Sequence, residues 1–117
     1  MKIIRLAGRS DLTGLLALYR ELRPHDPELS DELAIKRMDE LLANSYTYLI
    51  VVEADQQLIA SCMLGLTPTL TNGARPLALI EHVITASNYR GSGVGSKMLR
   101  YAIELAWNKE CYKVVLL

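Results

Sequence analysis

An arginine and three glycines stand within six residues of this chain, in Arg90-Gly91-Ser92-Gly93-Val94-Gly95. An apolar run suited to a strand precedes them, and a long amphipathic stretch suited to a helix follows. Glycine leaves backbone N–H groups uncovered, and the start of a helix adds unpaired N–H donors and the positive end of its dipole. The chemistry this predicts is anion binding. A pyrophosphate held there by Gly91, Ser92, Gly93, Val94, Gly95 and Ser96 would receive charge-assisted bonds of roughly 1.5–3 kcal/mol each, with Arg90 as a cation at the rim. A simple strand-to-helix turn needs one glycine, not three.

Spacing narrows the kind of phosphate loop. A Walker A loop needs G-x-x-x-x-G-K-[ST], but Lys97 does not follow a glycine and Met98 stands where the magnesium-holding hydroxyl belongs. A dinucleotide fingerprint beginning at Gly91 and Gly93 meets Ser96 at its third glycine, and no acidic residue closes a second strand about 20 residues on. What fits is R-x-x-G-x-G from Arg90 to Gly95, which resembles the acetyl-CoA loop of the GNAT acetyltransferase superfamily.

The elements that must position this loop can be read from periodicity. Residues 2–7 predict a short strand. Ser10-Asp11 then cap a helix with Leu12, Leu15, Leu16, Tyr19 and Leu22 at helical spacing, ended by Arg23-Pro24. After a turn-rich loop, Ser30 caps a second helix to about Asn44, with Leu33, Met38, Leu41 and Leu42 as its expected buried face. Residues 46–53 and 58–67 read as strands joined at Asp55-Gln56-Gln57, and a third meander strand spans 77–85. The glycine loop then opens a helix to about Lys109 with Val94, Met98, Ala102, Leu105 and Ala106 on one face, and residues 112–117 form a final strand, parallel to its neighbour.

The fold class is therefore mixed α/β, with the order β-α-α-β-β-β-α-β, a mostly antiparallel twisted sheet, a parallel β4/β5 pair and flanking helices. This order resembles the opening of the GNAT fold over the whole chain. The family continues with another helix and two more strands, so the resemblance implies a single domain over 1–117 that is C-terminally incomplete, whether by truncation, by processing or through a partner that supplies the rest.

The resemblance also implies roles. Acetyl-CoA would be the cosubstrate, with no metal. Its pantetheine arm would pair with main-chain groups of Val83, Ile84 and Thr85, and the Val83 N–H would polarise the thioester carbonyl. Glu81 matches a strand position that carries a carboxylate in many members, and a carboxylate in an apolar strand calls for a reason, so Glu81 is the candidate base that takes a proton from the acceptor amine. Strand alternation puts His82 on the opposite side, as packing. His25, Arg23 and Arg75 read as surface residues, and Tyr89 and Tyr112 as packing. The proton donor to the leaving thiolate would lie on the family's next helix. Gly73-Ala74-Arg75 ahead of Ile80-Glu81-His82-Val83, together with Cys111-Tyr112-Lys113-Val114, is similar to glucosamine-6-phosphate N-acetyltransferases, which implies a homodimer. The function implied is transfer of an acetyl group to the primary amine of a small-molecule acceptor by direct attack on the thioester. The alternative is a non-catalytic acyl-CoA-binding or regulatory module.

Composition sets the remaining bounds. At 117 residues the chain makes one domain that buries about 65% of its unfolded surface. Lys plus Arg and Asp plus Glu both number 13, so the basic footprint of a nucleic-acid binder is missing. Cys62 and Cys111 have no ligand spacing and read as reduced core residues. The early charges of Met1-Lys2-Ile3-Ile4-Arg5 fit no signal peptide, and no apolar run reaches the ~18 residues of a membrane span, so the expectation is a cytoplasmic protein with no membrane partner.

Overall fold

The computed structural model describes residues 1–117. Five strands form one sheet in the order β1-β2-β3-β4-β5: β1 Lys2–Leu6, β2 Thr47–Ala54, β3 Gln57–Thr67, β4 Leu77–Thr85 and β5 Lys113–Leu116. All neighbours pair antiparallel except β4 and β5, which pair parallel through α3, Val94–Asn108. The helices α1, Leu12–Leu22, and α2, Asp31–Ala43, lie between β1 and β2 in the chain. The expected element order and the parallel pair are both present.

Strand alternation sorts the core into two layers. Ile50, Val52, Cys62, Leu64, Ala78 and Ile80 share a cluster with Val94, Met98, Ala102 and Ala106, which form the apolar face of α3. Leu49 and Val51, on the other face of β2, pack with Leu15 of α1 and Met38 of α2. Both cysteines are free and buried.

Two expectations about the helices need correction. Met38 is buried as expected and Leu41 half-buried, but Leu33 and Leu42 are exposed and Ala34 is buried in their place, because the contact of α2 with the sheet is a narrow stripe. Asp11 does not cap α1 through its side chain. Its carboxylate accepts from the Gly8 N–H at 2.7 Å and from both terminal nitrogens of Arg5 at 2.8 and 2.9 Å. Arg5 also donates to Glu53 at 2.7 Å, so a partly buried ion triad ties β1, β2 and the start of α1 together. Ser30 does cap α2, accepting from the Leu33 N–H at 3.2 Å.

The register of β3 against β4 contains an irregularity. Met63 pairs with Glu81 and Ser61 with Ile84, two residues along β3 against three along β4. The extra residue is a β-bulge, and it reverses the parity of every β4 side chain beyond it. His82 sits in the bulge with φ of 54°. No helix is long and apolar enough to cross a membrane.

Candidate functional site

The path from β4 into α3 is made by main-chain geometry. Ala86, buried at the end of β4, donates to Ile59 O at 2.7 Å, and residues Ser87–Tyr89 form one turn of 3-10 helix. The Ser92 hydroxyl donates back to Tyr89 O, which fixes the tip. Gly91 and Gly93 have φ of 77° and 86°, the left-handed region where a Cβ is strained, so the turn itself calls for glycine at these two positions. Gly95 is different. Its backbone lies inside α3, and a Cβ there would meet Thr85 Oγ1 at 3.5 Å, an ordinary contact.

The N-terminus of α3 is left open as a donor site. The first main-chain bond of its opening turn runs from Lys97 N–H to Gly93 O at 3.1 Å, and the N–H groups of Gly93, Val94, Gly95 and Ser96 have no acceptor within the chain. No side chain caps them, and the first turn carries no acidic residue. By contrast α2 has Asp31 and Glu32 in its first turn and Ser30 as its cap. At α3 neither the dipole nor the orphan donors are satisfied from inside, and the charge that complements them is negative.

These donors line a cleft of about 300 Å³ formed by Thr85, Tyr89, Arg90, Gly91, Gly93, Val94, Gly95 and Ser96. Every residue of the predicted loop except Ser92 borders it; Ser92 is occupied with the Tyr89 carbonyl. The Val94 side chain is buried in the core, so its share of the cleft is its main chain. Tyr89 is an addition that residue type alone did not single out.

A second and larger cavity, of about 580 Å³, opens on the α1 and α2 side of β4. Val83, Ile84 and Met63 line it with Leu41, Leu49 and Leu117, and its polar groups are Tyr19, Arg23, Asp26 and His82. The expectation that His82 packs away is wrong: the bulge turns it out, and it is exposed at the cavity wall. Glu81, half-buried and paired with Met63, does not line this cavity. His25 is exposed and borders neither cavity. Arg23 donates to Asp26 at 2.6 Å, and that guanidinium holds the Asp26 carboxyl below its usual range. Burial raises the Tyr19 phenol, against the opposing influence of the Ser61 hydroxyl.

The end of β4 joins the two spaces. Its ladder with β5 covers residues 77–80, and the Leu117 N–H donates to Ile80 O at 3.0 Å. Val83 and Ile84 face the larger cavity while Thr85 faces the glycine cleft. An extended ligand with an anionic end in the cleft can therefore run along β4 to present its other end to the cavity. Burial pushes the Cys62 thiol up to about 11 and raises that of Cys111, so neither offers a thiolate to a passing group.

Comparison with known proteins places this geometry. The family model described as the acetyltransferase (GNAT) family matches residues 12–117. A glucosamine 6-phosphate N-acetyltransferase of Trypanosoma brucei brucei is 30% identical over 113 residues, covering 97% of this chain and 77% of that protein. A thialysine N-epsilon-acetyltransferase of Sus scrofa is 31% identical over 122 residues, covering 93% of this chain and 69% of the relative. Among solved structures, a putative acetyltransferase from Agrobacterium tumefaciens str. C58 superposes with a TM-score of 0.93 at 42% identity, over 98% of this chain and 80% of that one.

Proposed function

The chain belongs to the acetyltransferase (GNAT) family, and on that premise we propose that it transfers the acetyl group of acetyl-CoA to the primary amine of a small-molecule acceptor by direct attack on the thioester. The observation that carries this reading is the N-terminus of α3, with four unpartnered N–H groups, no acidic residue and two left-handed glycines beside Arg90. That donor set fits a pyrophosphate. Arg90, Gly91, Gly93, Val94, Gly95 and Ser96 would hold it, with Ser92 shaping the loop.

Val83, Ile84 and Thr85 then lie where the pantetheine arm would pass, on the stretch of β4 that borders both cavities. Acetyl-CoA supplies an activated acyl carbon, and the Val83 N–H is the donor we assign to its carbonyl oxygen. Direct attack is favoured over an acyl-cysteine route because both cysteines are buried and their thiols are held protonated. Two adjacent residues of β4 offer a proton acceptor, the Glu81 carboxylate and the His82 imidazole.

The acceptor enters through the larger cavity. The names of the two relatives point to amine acceptors on a sugar phosphate and on a lysine analogue, so glucosamine 6-phosphate and thialysine are the first probes. The same reading takes the protein as a cytoplasmic homodimer, and light scattering reads the dimer.

Calorimetric titration with acetyl-CoA, with ATP and NAD as controls, tests the cofactor site. Selective, near-stoichiometric binding of acetyl-CoA is expected. Release of CoA thiol on adding amine supports the enzyme, whereas binding without release under every amine tried supports the non-catalytic acyl-CoA module.

A further inference from the structure

On the acetyl-transfer reading, we propose that the acceptor is an amine that also carries a phosphate or a carboxylate, and that Arg23 selects it by binding that anion. Arg23 closes α1, its N–H donating to Tyr19 O at 2.7 Å, and the Asp26 N–H donates back to Arg23 O at 3.1 Å. The turn between them is thereby fixed in the main chain. Within it the Arg23 Nε donates to the Asp26 carboxylate at 2.6 Å, while the two terminal nitrogens make no hydrogen bond in the chain. Of the five N–H donors of a guanidinium, only the one on Nε is engaged.

Another arginine of this chain shows what such a fork holds. Arg5 gives Nε and Nη2 to Glu53 at 3.2 and 2.7 Å, and it still takes Asp11 on Nη1 and Nη2 at 2.8 and 2.9 Å. Asp26 stands to Arg23 as Glu53 stands to Arg5, on the Nε side. The edge of the guanidinium that grips Asp11 in Arg5 is the edge that has no partner in Arg23. Two parallel donors in one plane match the paired oxygens of a carboxylate or a phosphate.

The place of this fork gives it a substrate. Arg23 and Asp26 line the larger cavity together with Val83 and Ile84 of β4, and Arg23 is the one permanent cation among its lining residues. Asp26 stays ionised beside it, its carboxyl held below the usual range first by the Arg23 bond and also by the charge of His82 on the same cavity wall. An acceptor whose amine reaches the acetyl carbon beside Val83 meets the guanidinium with its other end. An amine without an anion leaves those donors unused. Nothing in this depends on what else closes the cavity, and Arg23 takes no part in the proton transfer, which stays with β4.

The test uses the full chain with acetyl-CoA and two pairs of amines that differ in the anion, following release of CoA thiol. The pairs are glucosamine 6-phosphate against glucosamine, and thialysine against thialysine methyl ester. The wild type should prefer the anionic member by roughly 10–100-fold in kcat/KM, the worth of one bidentate charged pair. A preference in one pair alone identifies the anion as phosphate or as carboxylate. Arg23→Gln should bring the preference close to one through a raised KM, with acetyl-CoA affinity as in the wild type, a split that a fold defect would not produce. Arg23→Lys, which keeps the charge without the fork, should fall between. Equal turnover of both members of each pair, or a preference that survives in Arg23→Gln, overturns the inference and leaves the acetyl-transfer reading intact. A wild type that releases no thiol with any of the four amines overturns that reading, and the inference with it.

Discussion

The Glu21 carboxylate, in the last turn of α1, accepts a hydrogen bond from the Ser87 N–H at 3.1 Å across 66 residues of sequence. Ser87 opens the 3-10 turn that leads into the glycine loop, so the end of α1 fixes where the anion cleft begins. Glu21→Ala should therefore weaken acetyl-CoA binding. An exposed bond of this kind contributes about 1 kcal/mol, which corresponds to about fivefold in the dissociation constant. Glu21→Gln keeps an acceptor oxygen and should bind nearly as the wild type does. Equal affinity for all three proteins in calorimetry would show that the loop holds its place without α1.

Gly95 and Gly93 should separate ligand approach from backbone strain. A methyl at Gly95 meets only Thr85 Oγ1, at 3.5 Å, and alanine is up to about 1 kcal/mol better than glycine in a helix. Gly95→Ala should keep or raise the melting temperature while lowering acetyl-CoA affinity at least about tenfold, because the methyl stands at the wall of the cleft. Gly93→Ala places a Cβ at φ of 86°, so it should lose about 1–2 kcal/mol of stability as well as binding. If Gly95→Ala binds acetyl-CoA normally, the cofactor does not approach α3 at that point.

Much of this architecture was legible in the sequence, and the parts that were not share a physical reason. Apolar patterning located the five strands and the three α-helices but none of the single 3-10 turns, which are too short to show a period, and Gly91 and Gly93 announced the loop because no other residue takes that backbone freely. His82 was misread because alternation has a period of two, and one extra residue, set by the register with β3, reverses it. The larger cavity was illegible for a related reason: Tyr19, Leu41, Leu49 and Met63 come from four elements that meet only through packing. Asp11 looked like a helix cap by residue type, but a guanidinium from β1 takes its carboxylate, and nothing local in the sequence announces that partner.

That ion pair gives the protein an acid-sensitive clamp. Asp11 is 8% exposed, and its carboxyl is held below the usual carboxylate range first by Arg5 and then by the Gly8 N–H, against the cost of burial. Because the folded value is depressed, the stability it contributes is complete above the unfolded value of about 3.9 and is lost as pH falls below it towards the folded value. Asp11→Asn should cost about 2 kcal/mol at pH 7 and flatten the fall in stability between about pH 5 and pH 2. Urea unfolding across that range reads both effects. Parallel curves for the two proteins would place the acid sensitivity elsewhere.

The far end of α3 carries a strain that can be removed without touching either cavity. Glu110 sits just past the helix at φ of 64°, its N–H donating to Trp107 O at 2.9 Å while the Cys111 N–H donates to Ala106 O at 3.1 Å. This is the paired-bond ending that glycine favours, and here it is built on a glutamate whose negative charge also opposes the helix dipole. The turn delivers Tyr112, whose N–H bonds Pro76 O at 3.0 Å and sets β5 in register with β4. Glycine at this position relieves the backbone and removes the unfavourable charge, at the smaller cost of a more flexible unfolded chain. Glu110→Gly should therefore raise stability by about 1 kcal/mol, about 4 °C in melting temperature for a domain of this size, with acetyl-CoA affinity unchanged. A lower melting temperature would mean that the Glu110 side chain contributes more to the folded state than its backbone strain costs.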